Sequence, residues 1–218
     1  MPIVKVKRKI RAARNRMTSF FPSHKNDAMV PSESLLESEY CYYLELSPQV
    51  ARYESQPFRL CYRSHGKPRR YTPDFLVIPT DEARRPLVVE IKLDVRLTPD
   101  LLARLDEVRQ EFSAEGYDFL LVTDAFIRQQ PLFWNVKWVH RFRRYPYAEA
   151  EVQQALDLVT PLGTARLERL EQALEGVVAK PRCLLFHLIS LGALSMEWTQ
   201  PLTVNTLIGR QLCSLELQ

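Results

Sequence analysis

The chain has 218 residues, 46% hydrophobic and 26% charged, which suits a soluble globular domain or one domain with a small appendage. No apolar run approaches the roughly 18 residues of a membrane span, and the basic N-terminus lacks the apolar core of an export signal. Cys41, Cys61, Cys183 and Cys213 are widely spaced, as are His24, His65, His140 and His187, so neither a disulfide framework nor a zinc site is expected. A cytoplasmic protein with reduced thiols is the expectation.

The net charge of +4 is uneven. Residues 1–27 hold eight Lys/Arg against one Asp, a balance of +7, while the remaining 22 Lys/Arg and 25 Asp/Glu give −3. Lys5 to Arg16, including Lys7, Arg8, Lys9 and Arg11, reads as a basic arm suited to a phosphate backbone. A solvated terminus accounts for it equally well. Phe20 to Val30 reads as irregular. Pro31-Ser32-Glu33-Ser34 then supplies helix-start chemistry, and Leu36, Tyr40, Tyr43 and Leu44 at i, i+4, i+7, i+8 predict an amphipathic helix over 35–46 with that stripe in the core.

Pro48 ends the helix. Strands follow over 50–54, 58–63 and 70–78, with His65-Gly66-Lys67-Pro68 as a turn. A polar turn over 80–86 leads to a further strand that runs through Leu87-Val88-Val89 to Lys92. Thr98-Pro99 opens a helix over 100–115 that Gly116 stops. Asp118 to Thr123 is a continuous apolar run, which predicts a central, parallel strand. Residues 127–144 are mixed, with Trp134 and Trp138 apolar and Arg141, Arg143 and Arg144 interleaved with Phe142 and Tyr145 as candidate phosphate contacts. Three helices (148–159, 164–174, 181–191) and a hairpin within 193–208 complete the chain, which is the parts list of a winged helix. The expected divisions are an arm (1–29), an α/β domain (30–147) and a C-terminal domain (148–218).

Three charges stand out in the strands around the 80–86 turn: Asp74, Glu90 and Lys92 lie where buried strands should be apolar. Residues i and i+2 of a strand share a face, so Glu90 and Lys92 point the same way. Unpaired charges in a sheet core cost several kcal/mol, roughly, so they must form an ion pair or a site. Glu37 at the edge of the first helix's buried face adds a third carboxylate; Glu39, on a different helix face, is its rival. Carboxylates gathered in one place call for a cation, and hard oxygen ligands suit Mg2+, with Mn2+ as a substitute. Such ions stabilise the attacking and leaving oxygens at phosphorus, with Lys92 holding water or developing charge.

Pro73-Asp74, followed sixteen positions later by Glu90-Ile91-Lys92, resembles the PD-(D/E)xK pattern of restriction-like nucleases. SLLESEYCYYLELSPQVARYESQP, YTPDF, LVVEIK and FLLVTD look like TnsA, the endonuclease subunit of heteromeric bacterial transposases, over about residues 30–147. LLFHLISLGALSMEWTQPLTVNTLI resembles that family's winged-helix-like domain more weakly. The resemblance implies a restriction-endonuclease-like mixed α/β sheet flanked by helices, then a small α-rich winged-helix-like domain. It implies Glu37, Asp74 and Glu90 as metal-binding carboxylates and Lys92 as the fourth catalytic residue, Glu90 standing at an acid-or-amide position. It further implies hydrolysis at the 5′ ends of a transposon, with double-stranded DNA, a TnsB-type DDE transposase and a TnsC-type AAA+ ATPase as partners. A stand-alone restriction or repair nuclease on the same fold, and a silent DNA- or protein-binding adaptor, are the alternatives. Gln56 stands either at the site or in a strand-end hydrogen bond.

Overall fold

The computed structural model describes residues 19–210 together with Leu212, Leu215 and Leu217, so the arm residues Lys7, Arg8, Lys9 and Arg11 lie outside the described part. The chain falls into two compact units, one running up to Glu45 and from Gln49 to Ile127, the other made of Leu46–Pro48 and Arg128–Leu217.

The first unit begins with an antiparallel hairpin, β1 (Ser19–Ser23) and β2 (Ala28–Ser32), where an irregular segment was expected. Pro22 and Pro31 hide the strand signal, yet a two-stranded ribbon tolerates prolines that need not donate. Phe21 pairs with Val30 in register and both are buried, which gives the hairpin one apolar face. Helix α1 (Leu35–Leu46) follows and buries Leu36, Tyr40, Tyr43 and Leu44, as their spacing predicts.

Next come β3 (Val50–Ser55), β4 (Leu60–Ser64), β5 (Lys67–Tyr71), β6 (Phe75–Pro79) and β7 (Leu87–Lys92). The single strand expected over 70–78 is two. Pro73 cannot donate to a ladder, and the chain bends there, so β5 pairs with β4 while β6 enters the main sheet. The β4–β5 turn places His65 and Gly66 at φ +48° and +76°, the pair of positive values that a tight hairpin turn requires.

Helix α2 (Pro99–Ala114) starts at Thr98, whose hydroxyl oxygen accepts the Leu101 amide at 3.2 Å, and the chain leaves it at Gly116 with φ +85°. Strand β8 (Asp118–Thr123) and the short helix α3 (Asp124–Ile127) end the unit. The main sheet has the order β3-β6-β7-β8, antiparallel except for the parallel pair β7–β8. It is thus a mixed sheet flanked by helices, as expected. Strand β8 is parallel but stands at the edge, not the centre. Its apolar run is explained by packing: Phe119 and Leu121 lie against the cluster of Leu105, Val108 and Phe112 from α2 with Phe58, Leu60 and Tyr71, while Val122 is fully buried.

The second unit holds α4 (Leu132–His140), α5 (Glu149–Val159), α6 (Leu167–Leu174) and α7 (Pro181–Ser190). Short strands β9 (Ala165–Arg166), β10 (Ser195–Met196) and β11 (Leu207–Gly209) form an antiparallel sheet in the order β10-β11-β9. Helices α5 to α7 fall within the expected ranges, except that Ala165–Arg166, expected as helix, forms strand β9. The hairpin expected within 193–208 reduces to Ser195 opposite Gly209 and Met196 opposite Ile208. Helix α4 was not foreseen, because its buried row of Leu132, Asn135, Val136 and Val139 contains a polar residue. Asn135 earns that place by donating from its amide to the carbonyls of Trp198 and Gln200, each at 2.8 Å. Among the described residues, no helix is long and apolar enough to cross a membrane.

Candidate active site

The β6–β7 register sets the site. Phe75 faces Val89 and Leu76 faces Val88, so Asp74, one step before β6, comes level with Glu90. The Ile91 amide donates to Oδ2 of Asp74 at 2.7 Å and fixes that carboxylate against β7. Across Asp74 on the other side, the Gln56 amide donates to the Asp74 carbonyl at 2.9 Å. Gln56 is buried and adopts φ +45°, so its backbone serves the strand-end hydrogen bond.

Glu90 is buried, and Lys92, two residues on and on the same face, pairs its ammonium with Oε1 of Glu90. The Lys92 ammonium also donates to the Ile91 carbonyl at 3.2 Å. The buried Oε2 of Glu90 has no hydrogen-bond partner. Beside it stands Tyr71, the last residue of β5, which the sequence does not single out. Burial, followed by the charges of Glu90 and Asp74, pushes the Tyr71 phenol far up, so it remains protonated. Its hydroxyl is buried near Glu90 without an aligned hydrogen bond.

Glu37 sits in the first turn of α1 and is buried. Its carboxylate accepts the Glu33 amide and the Ser34 hydroxyl, each at 2.8 Å, and its own amide donates to the Ser34 hydroxyl at 3.1 Å. That is a variant of the capping box, so Glu37 also serves to start the helix. Burial raises its pKa above the ordinary carboxylate value, opposed by these hydrogen bonds and by the charge of Lys92. The rival, Glu39, acts instead on Tyr43, whose phenol burial and the Glu39 charge push up.

Asp74 is where the cluster's electrostatics converge. Burial raises its pKa well above the usual value, the charges of Glu90 and Glu37 raise it further, and Lys92 and the Ile91 amide oppose them. Glu37, Asp74, Glu90 and Lys92 therefore share one electrostatic neighbourhood. The donor set of hard carboxylate oxygens, their mutual repulsion and the orphaned Oε2 of Glu90 suit a divalent cation. As they stand, no group of three or more His, Cys, Asp or Glu among the described residues is gathered to hold an ion. Glu37 is occupied in capping, and Lys92 occupies one oxygen of Glu90.

A second polar cluster lies further along α1. Glu45 is fully buried and accepts the Ser23 hydroxyl at 2.5 Å, the Tyr53 hydroxyl at 2.9 Å and the His24 amide at 3.2 Å. It ties the β1–β2 hairpin and β3 to the helix that bears Glu37. Burial, with the nearby charge of Glu45, pushes the Cys41 thiol up and leaves it unreactive.

The basic residues of the second unit divide. Arg143 donates to the Ser190 carbonyl and is partly buried, which ties it to the fold. Arg141 is exposed, with its guanidinium 5.2 Å from the centre of the Trp138 ring, and Arg144 is exposed as well.

Residues 47–124 match the model of one protein family, described as TnsA-like endonuclease N-terminal. The matched stretch contains Gln56, Tyr71, Asp74, Glu90 and Lys92; Glu37 lies before its start. No curated protein matches the chain.

Proposed function

We propose that this chain, whose residues 47–124 form a TnsA-like endonuclease domain, is the metal-dependent endonuclease subunit of a heteromeric DNA transposase, hydrolysing phosphodiester bonds at the 5′ ends of a transposon. The observation that carries the reading is the meeting of Asp74, Glu90 and Lys92 at one end of the β6–β7 pair inside the matched stretch. Asp74 and Glu90 would hold Mg2+, with Glu37 contributing from α1. Bound there, the ion supplies Lewis-acid stabilisation of charge at phosphorus.

The chain's own residues do the rest. The Ile91 amide keeps Asp74 from turning away from the strand, and the Gln56 amide fixes the backbone behind it. Lys92 is a cation placed to leave Glu90 for an anionic phosphoryl oxygen as charge develops there. Tyr71, held protonated, lies beside Glu90 as a neutral donor rather than a further negative charge. Cutting by a DDE-type TnsB partner and regulation by a TnsC-type AAA+ ATPase would supply the other strand and the timing. The winged-helix-like reading of the second unit belongs with this assembly.

The test is 5′-strand cleavage of transposon-end DNA in Mg2+, with and without TnsB- and TnsC-type partners. Cleavage that needs Mg2+ and disappears in Asp74→Ala supports the reading. Activity unchanged in Asp74→Ala and Lys92→Ala rejects the site. Strong cutting of arbitrary DNA by the chain alone would instead point to a stand-alone nuclease.

A further inference from the structure

Helix α4 carries a feature that the hydrolytic site does not use. Its buried row is Leu132, Asn135, Val136 and Val139. Trp134, Lys137, Trp138 and Arg141 follow one another at i, i+3, i+4 and i+7, which places them along a single stripe. Trp134 and Trp138 stack almost parallel, with centroids 5.2 Å apart and 8° between planes. The Arg141 guanidinium lies 5.2 Å from the Trp138 ring centre, and the Lys137 ammonium lies 5.1 Å from that of Phe133. Phe142 meets Trp138 edge-on at 6.0 Å, and Tyr145 stacks on Phe142 at 6.4 Å, which extends the row of rings. Trp138 is half-buried, whereas Trp134 is 50% exposed. The row is open at Trp134.

An exposed tryptophan held flat by a second one is a surface made for contact, since solvent gains nothing from that apolar area. The local charge says what kind of contact. Residues 125–148 include Arg128, Lys137, Arg141, Arg143 and Arg144 and no Asp or Glu. Cations alternating with flat aromatic faces are the elements of a strand-binding platform, where bases stack and phosphates meet Lys and Arg. An acidic protein segment would answer to the cations but would leave the open indole face unmatched.

We propose that this α4 stripe binds a DNA strand, with an unpaired base stacked on Trp134 and the adjoining phosphates against Lys137 and Arg141. The proposal rests on the DNA-acting reading above. It assigns to the second unit a grip on a DNA strand, separate from the chemistry of the first.

The test uses the full chain and a fluorescent single strand of about 20 nucleotides, with a duplex of the same sequence for comparison. Anisotropy gives affinity, and quenching of tryptophan emission reports stacking directly. Trp134→Ala is expected to weaken single-strand binding about tenfold and to remove part of the quenching, while Trp134→Phe restores most of the affinity. Lys137→Ala with Arg141→Ala should flatten the dependence of log affinity on log salt by about 1–2. Melting temperatures identify any variant that fails to fold; Trp134→Phe then carries the comparison, because its quenching contribution is lost even where its affinity is kept. Lys92→Met separates the two readings, since it should abolish cleavage and leave strand binding intact. Wild-type cleavage together with unaltered single-strand affinity and quenching in Trp134→Ala overturns the surface and leaves the nuclease. Binding of an acidic peptide that Trp134→Ala removes, with DNA binding unaltered, overturns it in favour of a protein partner. A wild-type chain that neither cleaves nor binds DNA overturns both.

Discussion

The amide of Ile91 holds Oδ2 of Asp74 at 2.7 Å, so the residue between Glu90 and Lys92 anchors the acid of the neighbouring strand. Every side chain of the pattern is thereby placed by a backbone contact or by a partner inside the same pattern. The site's charges are consequently coupled, and each prediction below perturbs one part of that coupling.

Asp74→Asn should stabilise the metal-free protein at neutral pH. The folded state raises the Asp74 pKa, chiefly by burial and then by the charge of Glu90. A raised carboxyl binds its proton more tightly folded than unfolded, so its contribution is fullest below the unfolded value of about 3.9 and is lost as pH rises through the folded value. Asparagine removes that loss. Thermal melts in chelator should show a gap between variant and wild type that widens from pH 4 to pH 8. A constant or reversed gap would contradict the charge crowding. Added Mg2+ should raise the wild-type midpoint and leave the variant's unmoved.

Lys92→Met should lower the cleavage rate by at least about 100-fold, the scale for losing one donor to a developing oxyanion. Glu90 then keeps a buried charge without its ammonium, so the fold should also weaken in chelator. Single-turnover cleavage and a denaturant titration read the two effects separately. Loss of rate that Glu90→Gln in the same chain restores would mean that the lysine acts only by neutralising Glu90.

Tyr53→Phe removes one donor to the buried Glu45 carboxylate with little change in packing volume. The expected cost is about 1–3 kcal/mol, since the remaining charge is desolvated with one bond fewer. Urea unfolding measures it. A value near zero would mean that water replaces the phenol.

Phe112→Ala should destabilise by about 3–5 kcal/mol. The ring is fully buried and touches Phe58, Tyr117 and Phe119 as well as Tyr71 at 6.0 Å. Because Tyr71 also stands beside Glu90, cleavage measured well below the melting temperature should fall too. The Phe112→Leu variant, which keeps most of the volume, should recover both.

Much of the site was legible in the sequence because charges are conspicuous in strands. Asp74, Glu90 and Lys92 interrupt apolar runs, and the two-residue period alone places Glu90 with Lys92. Helix α1 declared itself by the spacing of Leu36, Tyr40, Tyr43 and Leu44. The misses have physical causes. Prolines at 22 and 31 concealed the first hairpin, Pro73 divided a run that read as one strand, and Asn135 broke the apolar row of α4. Tyr71 escaped notice because a tyrosine in a strand is ordinary packing until its hydroxyl is found beside a carboxylate. Strand β8 looked central since both its faces are apolar, yet a helix-packed edge strand has the same composition.

Asn135 gives α4 a particular freedom. One amide, with two donors and two carbonyls to receive them, fixes the helix from its inner side, and aspartate in its place would set acceptors against acceptors. The outer stripe begins at the adjacent residue, Trp134, and shares no hydrogen bond with that anchor. That anchor is made by atoms other than those of the exposed Trp134, Lys137 and Arg141, so a substitution at any of the three leaves it in place.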